Sequence, residues 1–126
     1  MTSCLRSRIL IVDDESETVA ALARLFRRLD CDIDSAGTIE EASRTILDRD
    51  YRAIVTDLRL TPGTGEEGLE VLRRAREKNL STEVIIVTGY GNPSLMTKAF
   101  DLGAAYYFEK PVHPAQLLGA LEELCR

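Results

Sequence analysis

The sequence predicts a doubly wound α/β domain, a five-stranded parallel sheet with helices on both faces. Three observations predict it. Five short strand-like runs recur along the 126 residues, and three of them, around Ile9–Val12, Ala53–Thr56 and Glu83–Val87, are rich in β-branched residues, the pattern of strands buried on both faces. Each is followed by a stretch with apolar residues at helical spacing. The connections are a few residues long, with no repeat, linker or low-complexity segment, so one domain accounts for residues 1–126. Such alternation demands right-handed crossovers, which place helices on both sides of a parallel sheet.

The first strand is Arg8–Val12, and it runs straight into Asp13-Asp14-Glu15. The helix after it carries Val19, Leu22, Phe26 and Leu29 on one face, and Asp14 with Glu17 forms a capping box at its start. Cys31–Ala36 is the second strand. Asp32 and Asp34 alternate there with Ile33, which suits an edge strand with one wet face. Thr38 with Glu41 is another capping box, opening a helix whose Ile39, Ala42 and Ile46 face the sheet.

The third strand, Ala53–Asp57, is an apolar run that ends on a carboxylate. Leu58-Arg59-Leu60 and the Pro/Gly-rich Thr61–Gly65 follow. Thr64 and Glu67 cap the third helix, which turns Leu69, Leu72 and Ala75 inward and sets Glu66 and Glu67 at its positive end. Glu83–Val87 is the fourth strand, leading to Thr88-Gly89-Tyr90-Gly91. Asn92 and Pro93 are a cap and first-turn pair for a helix over Pro93–Leu102, which Gly103 stops. That helix has two apolar stripes, Leu95/Ala99/Leu102 and Met96/Phe100; one must pack on the sheet, leaving the other partly exposed, as a partner-binding face or as the flank of a wide core stripe. Ala105–Phe108 is the fifth strand, before Glu109-Lys110-Pro111. The last helix starts near Pro114 and buries Leu117, Leu121 and Leu124, with Leu118 beside them.

Composition narrows the function classes. A net charge of −5 argues against a nucleic-acid surface. No apolar run approaches bilayer length and no signal-type segment opens the chain, so a cytoplasmic protein with no membrane contact is expected. Cys4, Cys31 and Cys125 are odd in number and lack CxxC spacing, which indicates neither a disulfide framework nor a zinc site. His113, the only histidine, reads as a loop residue.

The chemistry lies at the strand ends. In open parallel sheets ligands bind outside the carboxyl ends of the strands. Four of the five ends carry polar groups: Asp13/Asp14, Asp57, Thr88 and Lys110. Two carboxylates ~5 Å apart repel by roughly 3 kcal/mol at an effective dielectric near 20. A hard divalent cation relieves that repulsion, and Mg²⁺ takes one or two carboxylates while keeping waters and phosphate oxygens. Lys110 is a suitable phosphate partner, Thr88 offers a hydroxyl, and a carboxylate beside the metal can act as nucleophile to form an aspartyl phosphate.

Asp13-Asp14, Asp57, Thr88 and Lys110-Pro111, each after its own strand, resemble the receiver domain of two-component response regulators over essentially the whole chain. The resemblance implies a flavodoxin-like fold with strand order 2-1-3-4-5. It implies that Asp57 is the phosphoacceptor and that Asp14, Asp57 and the Arg59 carbonyl bind Mg²⁺, with Asp13 acting through water. Lys110 would reach the phosphoryl group, Thr88 would move toward it, Tyr107 would be the aromatic switch, and the Lys110–Pro111 bond would be cis. Implied partners are a sensor histidine kinase or histidine phosphotransfer protein and a downstream protein target. The domain would act as a switch, not as an enzyme on outside substrates, whether the chain is whole or a piece of a longer regulator.

Two features depart from the family pattern. Gly68 lies three positions beyond where a glycine usually opens the third helix, so the loop after Asp57 is long. Arg59 and Tyr90 fall at the edge of the site, where the resemblance implies that side chains modulate how fast phosphate is lost; Arg59 would shield the phosphoryl group or pair with an acid such as Glu15. Three other readings compete. A haloacid-dehalogenase-like phosphatase needs a second acid two residues after its nucleophile, where Arg59 stands. A nucleotide binder needs a glycine-rich first turn, and Asp-Asp-Glu-Ser is not one. A pseudo-receiver that only docks would not need all five chemical positions filled.

Overall fold

The computed structural model describes residues 7–60, 66–89 and 91–125. Strands β1 (Arg8–Val12), β2 (Asp32–Ala36), β3 (Ala53–Thr56), β4 (Glu83–Thr88) and β5 (Tyr106–Glu109) form one parallel sheet in the order β2-β1-β3-β4-β5. Helices α1 (Ser16–Phe26), α2 (Ile39–Asp48), α3 (Glu67–Lys78), α4 (Pro93–Asp101) and α5 (Pro114–Leu124) alternate with them. The fold class and strand order are those expected.

Side chains alternate across each strand, and this splits the core in two. Leu10, Val12, Ile54, Val84 and Ile86 face α2, α3 and α4, where Ala42, Ile46, Leu72 and Ala75 meet them. Ile9, Ile11, Val55, Ile85 and Val87 face α1 and α5, against Phe26, Leu117 and Leu121. The three central strands are apolar on both faces for this reason.

Several local expectations shift. α1 starts at Ser16 with Glu15 as its N-cap, so the Asp14–Glu17 capping box does not form. The Asp13 carboxylate accepts from the Glu15 N–H at 2.9 Å, a turn bond that carries the chain one residue further before the helix begins. β2 begins at Asp32, and the thiol of buried Cys31 instead donates to the Phe26 carbonyl at 3.6 Å. β4 extends to Thr88, and β5 spans Tyr106–Glu109.

Other signals hold. Thr38 Oγ1 accepts from the Glu41 N–H at 3.1 Å, while the Glu41 carboxylate reaches back to the Gly37 N–H at 2.9 Å. Asn92 caps α4 by accepting from Leu95, with Pro93 in the first turn, and Gly103 ends that stretch at φ +105°. On α4, Ala99 is buried and Leu95 half-buried, whereas Met96, Phe100 and Leu102 are exposed. Leu102, the C-cap of α4, is exposed and not packed with Leu95 and Ala99. His113 is more than a loop residue: its Nδ1 accepts from the Ala115 N–H at 3.1 Å and caps α5. Pro114 directly after it was the signal. Thr64 of the third capping box lies outside the described residues, as do Cys4 and Tyr90; α3 itself runs from Glu67 with Glu66 at its N-cap.

Candidate functional site

The ladder hydrogen bonds continue one residue past the strands and fix the rim. Asp13 N–H donates to the Ala36 carbonyl at 3.0 Å, Asp57 N–H to Val12 at 3.0 Å, and Lys110 N–H to Thr88 at 2.9 Å. Because every strand is parallel, these backbone bonds bring Asp13, Asp57 and Lys110 to one edge of the sheet. The register sets Thr88 opposite Glu109, just before Lys110.

Asp13 and Asp57 are each 5 % exposed and Thr88 is fully buried, while Asp14 is exposed. The Lys110 ammonium donates to Asp57 Oδ2 at 3.0 Å and to Asp13 Oδ2 at 3.4 Å, so one cation serves two carboxylates. The other oxygens are also engaged: Asp57 Oδ1 accepts from the Arg59 N–H at 3.3 Å and Asp13 Oδ1 from Glu15. Burial pushes the Asp13 carboxyl above its ordinary value, and the Glu15 N–H and Lys110 only partly offset it. Burial also pulls the Lys110 ammonium down, but hydrogen bonds and charge from Asp57 and Asp13 outweigh it and hold the lysine above its usual range. Lys110 is therefore a stable cation at neutral pH. The Lys110–Pro111 bond is cis, as expected.

The third helix abuts the same corner. Gly68 N–H donates to the Leu58 carbonyl at 2.8 Å. A Cβ on Gly68 would lie 2.1 Å from the Asp57 carbonyl oxygen, so only glycine lets α3 come this close to the end of β3. Beside Asp57 opens a cavity of about 220 Å³ with an aliphatic floor of Ile11, Val55 and Val87, rimmed by Asp13, Asp57 and Lys110. Tyr107 lies in β5 with its ring toward the α2–α4 core and its hydroxyl buried, tilted against Phe100 at a centroid distance of 6.4 Å.

The donor set fits a small hard cation. Two buried carboxylates converge here with Asp14 next in sequence, and every donor is oxygen. Among the described residues no three acidic, histidine or cysteine side chains form a metal-holding group on their own. An ion held by Asp57 and its neighbouring acids would complete its shell with water and phosphoryl oxygens, the habit of Mg²⁺. The structure thus brings together Asp13, Asp57 and Lys110, with Thr88 adjoining. Asp14 stays at the solvent face, and the exposed Arg59 reaches Asp57 through its backbone N–H.

Residues 9–122 match the response regulator receiver domain family. The acid tolerance regulatory protein ActR of Rhizobium meliloti (strain 1021) is 34 % identical over 113 residues, covering 90 % of this chain and 57 % of that protein. The transcriptional regulatory protein ResD of Bacillus subtilis (strain 168) is 33 % identical over 120 residues, covering 95 % of this chain and 48 % of that protein. The chain thus spans about half the length of these relatives. Among solved structures, a CheY-like response regulator receiver domain protein from Methanospirillum hungatei JF-1 superposes with a TM-score of 0.86 at 27 % identity, covering 94 % of this chain and 93 % of that one.

Proposed function

The chain belongs to the response regulator receiver domain family, and from that premise we propose that it is a phosphorylation-driven switch with Asp57 as its phosphoacceptor. It is a signalling module of two-component systems. One observation carries the finer reading: a buried aspartate at the sheet rim whose Oδ2 lies 3.0 Å from a lysine ammonium that also serves Asp13.

The step is a phosphoryl transfer. A carboxylate oxygen of Asp57 attacks phosphorus, the bond to the donor's imidazole nitrogen breaks, and an acylphosphate remains on Asp57. Bound Mg²⁺ would neutralise charge on the transferring phosphoryl oxygens, held by Asp14, Asp57 and the Arg59 carbonyl, with Asp13 acting through water. Lys110, already charged, passes from the Asp57 carboxylate to a phosphoryl oxygen without taking up a proton. Thr88 contributes a hydroxyl donor to the same group, and Tyr107 follows its movement. Hydrogen bonds of this charge-assisted kind are the strong ones and supply the differential affinity that a population shift needs.

The donor is a sensor histidine kinase or a histidine phosphotransfer protein, and the output is a protein target docked on the reshaped face. Residues 1–126 act as one receiver domain. With a net charge of −5 this domain does not itself bind nucleic acid. Among the described residues no helix is long and apolar enough to cross a membrane, and a cytoplasmic location follows from the kinase partnership. The test is exposure to a small phosphodonor with and without Mg²⁺, read by intact mass and site mapping. A gain of one phosphoryl group on Asp57, dependent on Mg²⁺ and lost in Asp57→Asn, is expected. Label persisting at the same stoichiometry in Asp57→Asn would overturn the assignment, and no label at all would make this a docking module.

A further inference from the structure

Gly91, between β4 and α4, stands where no side chain fits. A Cβ built on it would lie 1.7 Å from the Tyr107 hydroxyl oxygen, 2.9 Å from Tyr107 Cζ and 3.0 Å from the Thr88 γ-methyl. Backbone conformation is not what requires glycine here. Among the described glycines only Gly103 has a positive φ, so the backbone at Gly91 accepts an alanine. What excludes a side chain is the space taken by the tyrosine ring.

That ring position has an opposing cost. Tyr107 Oη is buried and has no hydrogen-bond partner among the described residues, whereas a buried phenol normally finds one. Packing against the α2–α4 core and Phe100 holds the ring inward; the hydroxyl would be better solvated if the ring swung out. Position 91 and the Tyr107 hydroxyl therefore act on the same equilibrium from two sides.

We propose that Gly91 is a positioning residue, the gap that lets Tyr107 lie inward beside Thr88, so that a side chain at 91 expels the ring and loss of the 107 hydroxyl retains it. The functional consequence rests on the switch reading above, because Thr88 and Tyr107 would carry the signal; the geometry does not. Gly89 is the internal control. It lies in the same connection, but a Cβ there meets only Lys110 Cβ, at 4.0 Å.

The experiment is NMR on the full chain without phosphodonor, reading the cross-relaxation peak between the Thr88 methyl and the Tyr107 ring. Wild type and Gly89→Ala should show it, Gly91→Ala should weaken it at least tenfold, and Tyr107→Phe should keep or strengthen it. Should Gly91→Ala fold poorly, thermal melts decide the matter. Its Tm loss should shrink by more than half when the same change is made in a Tyr107→Ala background, because the clashing ring is gone. An undiminished cross-peak in Gly91→Ala, or an unrelieved Tm loss in the Tyr107→Ala background, would overturn the proposal. Phosphoryl incorporation into the same wild-type sample keeps the two readings apart. Failure there counts against Asp57 as acceptor and leaves the ring result standing.

Discussion

Around Asp34 on β2, one carboxylate gathers several donors. The Tyr51 hydroxyl donates to Oδ2 at 2.7 Å, and Arg8 and Arg49 each approach it at 3.3 Å. At the rim the proportion is reversed, and one lysine ammonium is divided between the carboxylates of Asp13 and Asp57. Asp34 was expected on the wet face of an edge strand. It is instead half-buried under a clasp that joins β2 to the first residue of β1 and to Tyr51, ahead of β3. An acid met by a surplus of donors is a finished piece of structure. Two buried acids sharing one lysine ammonium leave a concentration of negative charge at the rim, the kind of electrostatic imbalance that gathers at functional sites.

The contrast can be broken by removing a cation from each cluster. Lys110→Ala should slow phosphoryl incorporation about a hundredfold, the scale seen when one donor is removed from a developing oxyanion. Arg8→Ala should leave that rate within about twofold, since its partners Asp32 and Asp34 lie away from the rim. Equal slowing by both would erase the distinction.

Removing the acids should separate the clusters by stability. Asp34→Ala strands the Tyr51 hydroxyl and two arginines, and is expected to cost about 2–3 kcal/mol in urea unfolding, the range for hydrogen bonds to a charged group. A cost near zero would mean that the clasp is ornamental.

The clasp also has a pH signature. Burial, then the hydrogen bond to Asp34, pushes the Tyr51 phenol from 10.0 up to about 12. The fold therefore retains a proton that the unfolded chain begins to lose near pH 10. The stabilisation is intact below pH 10 and disappears as pH climbs through about 12. Asp34 is partly wet, and solvent screening trims the effect to about 1–2 kcal/mol. Unfolding free energies of wild type and Tyr51→Phe across that window should converge by this amount; a constant gap would refute it.

The smallest effect has the opposite sign. Asp13 is held above its ordinary value chiefly by burial, so its ionised form opposes folding. Asp13→Asn should raise stability by about 0.5–2 kcal/mol in metal-free buffer, the usual gain when a functional site is relieved. A loss of stability would show that the Lys110 contact outweighs desolvation.

Much of this protein follows from its sequence alone. Runs such as Ile9–Val12 and Ala53–Thr56 declare strands buried on both faces, and helical spacing declares what lies between them. Once all strands are parallel, Asp13, Asp57, Thr88 and Lys110 must share an edge, because every carboxyl end points the same way; topology substitutes for contact information. Caps such as Thr38–Glu41 and Asn92–Pro93 are legible because their partners lie within one turn. The remaining features depended on residues distant in the chain. Lys110 and Asp13 are 97 positions apart, and Arg8 and Asp34 are 26 apart. Periodicity assigns a residue to a face but does not name what it meets there. For that reason Asp34 read as solvated, Asp14 rather than Asp13 read as the turn acid, and Gly91 gave no sign of the tyrosine whose place it keeps.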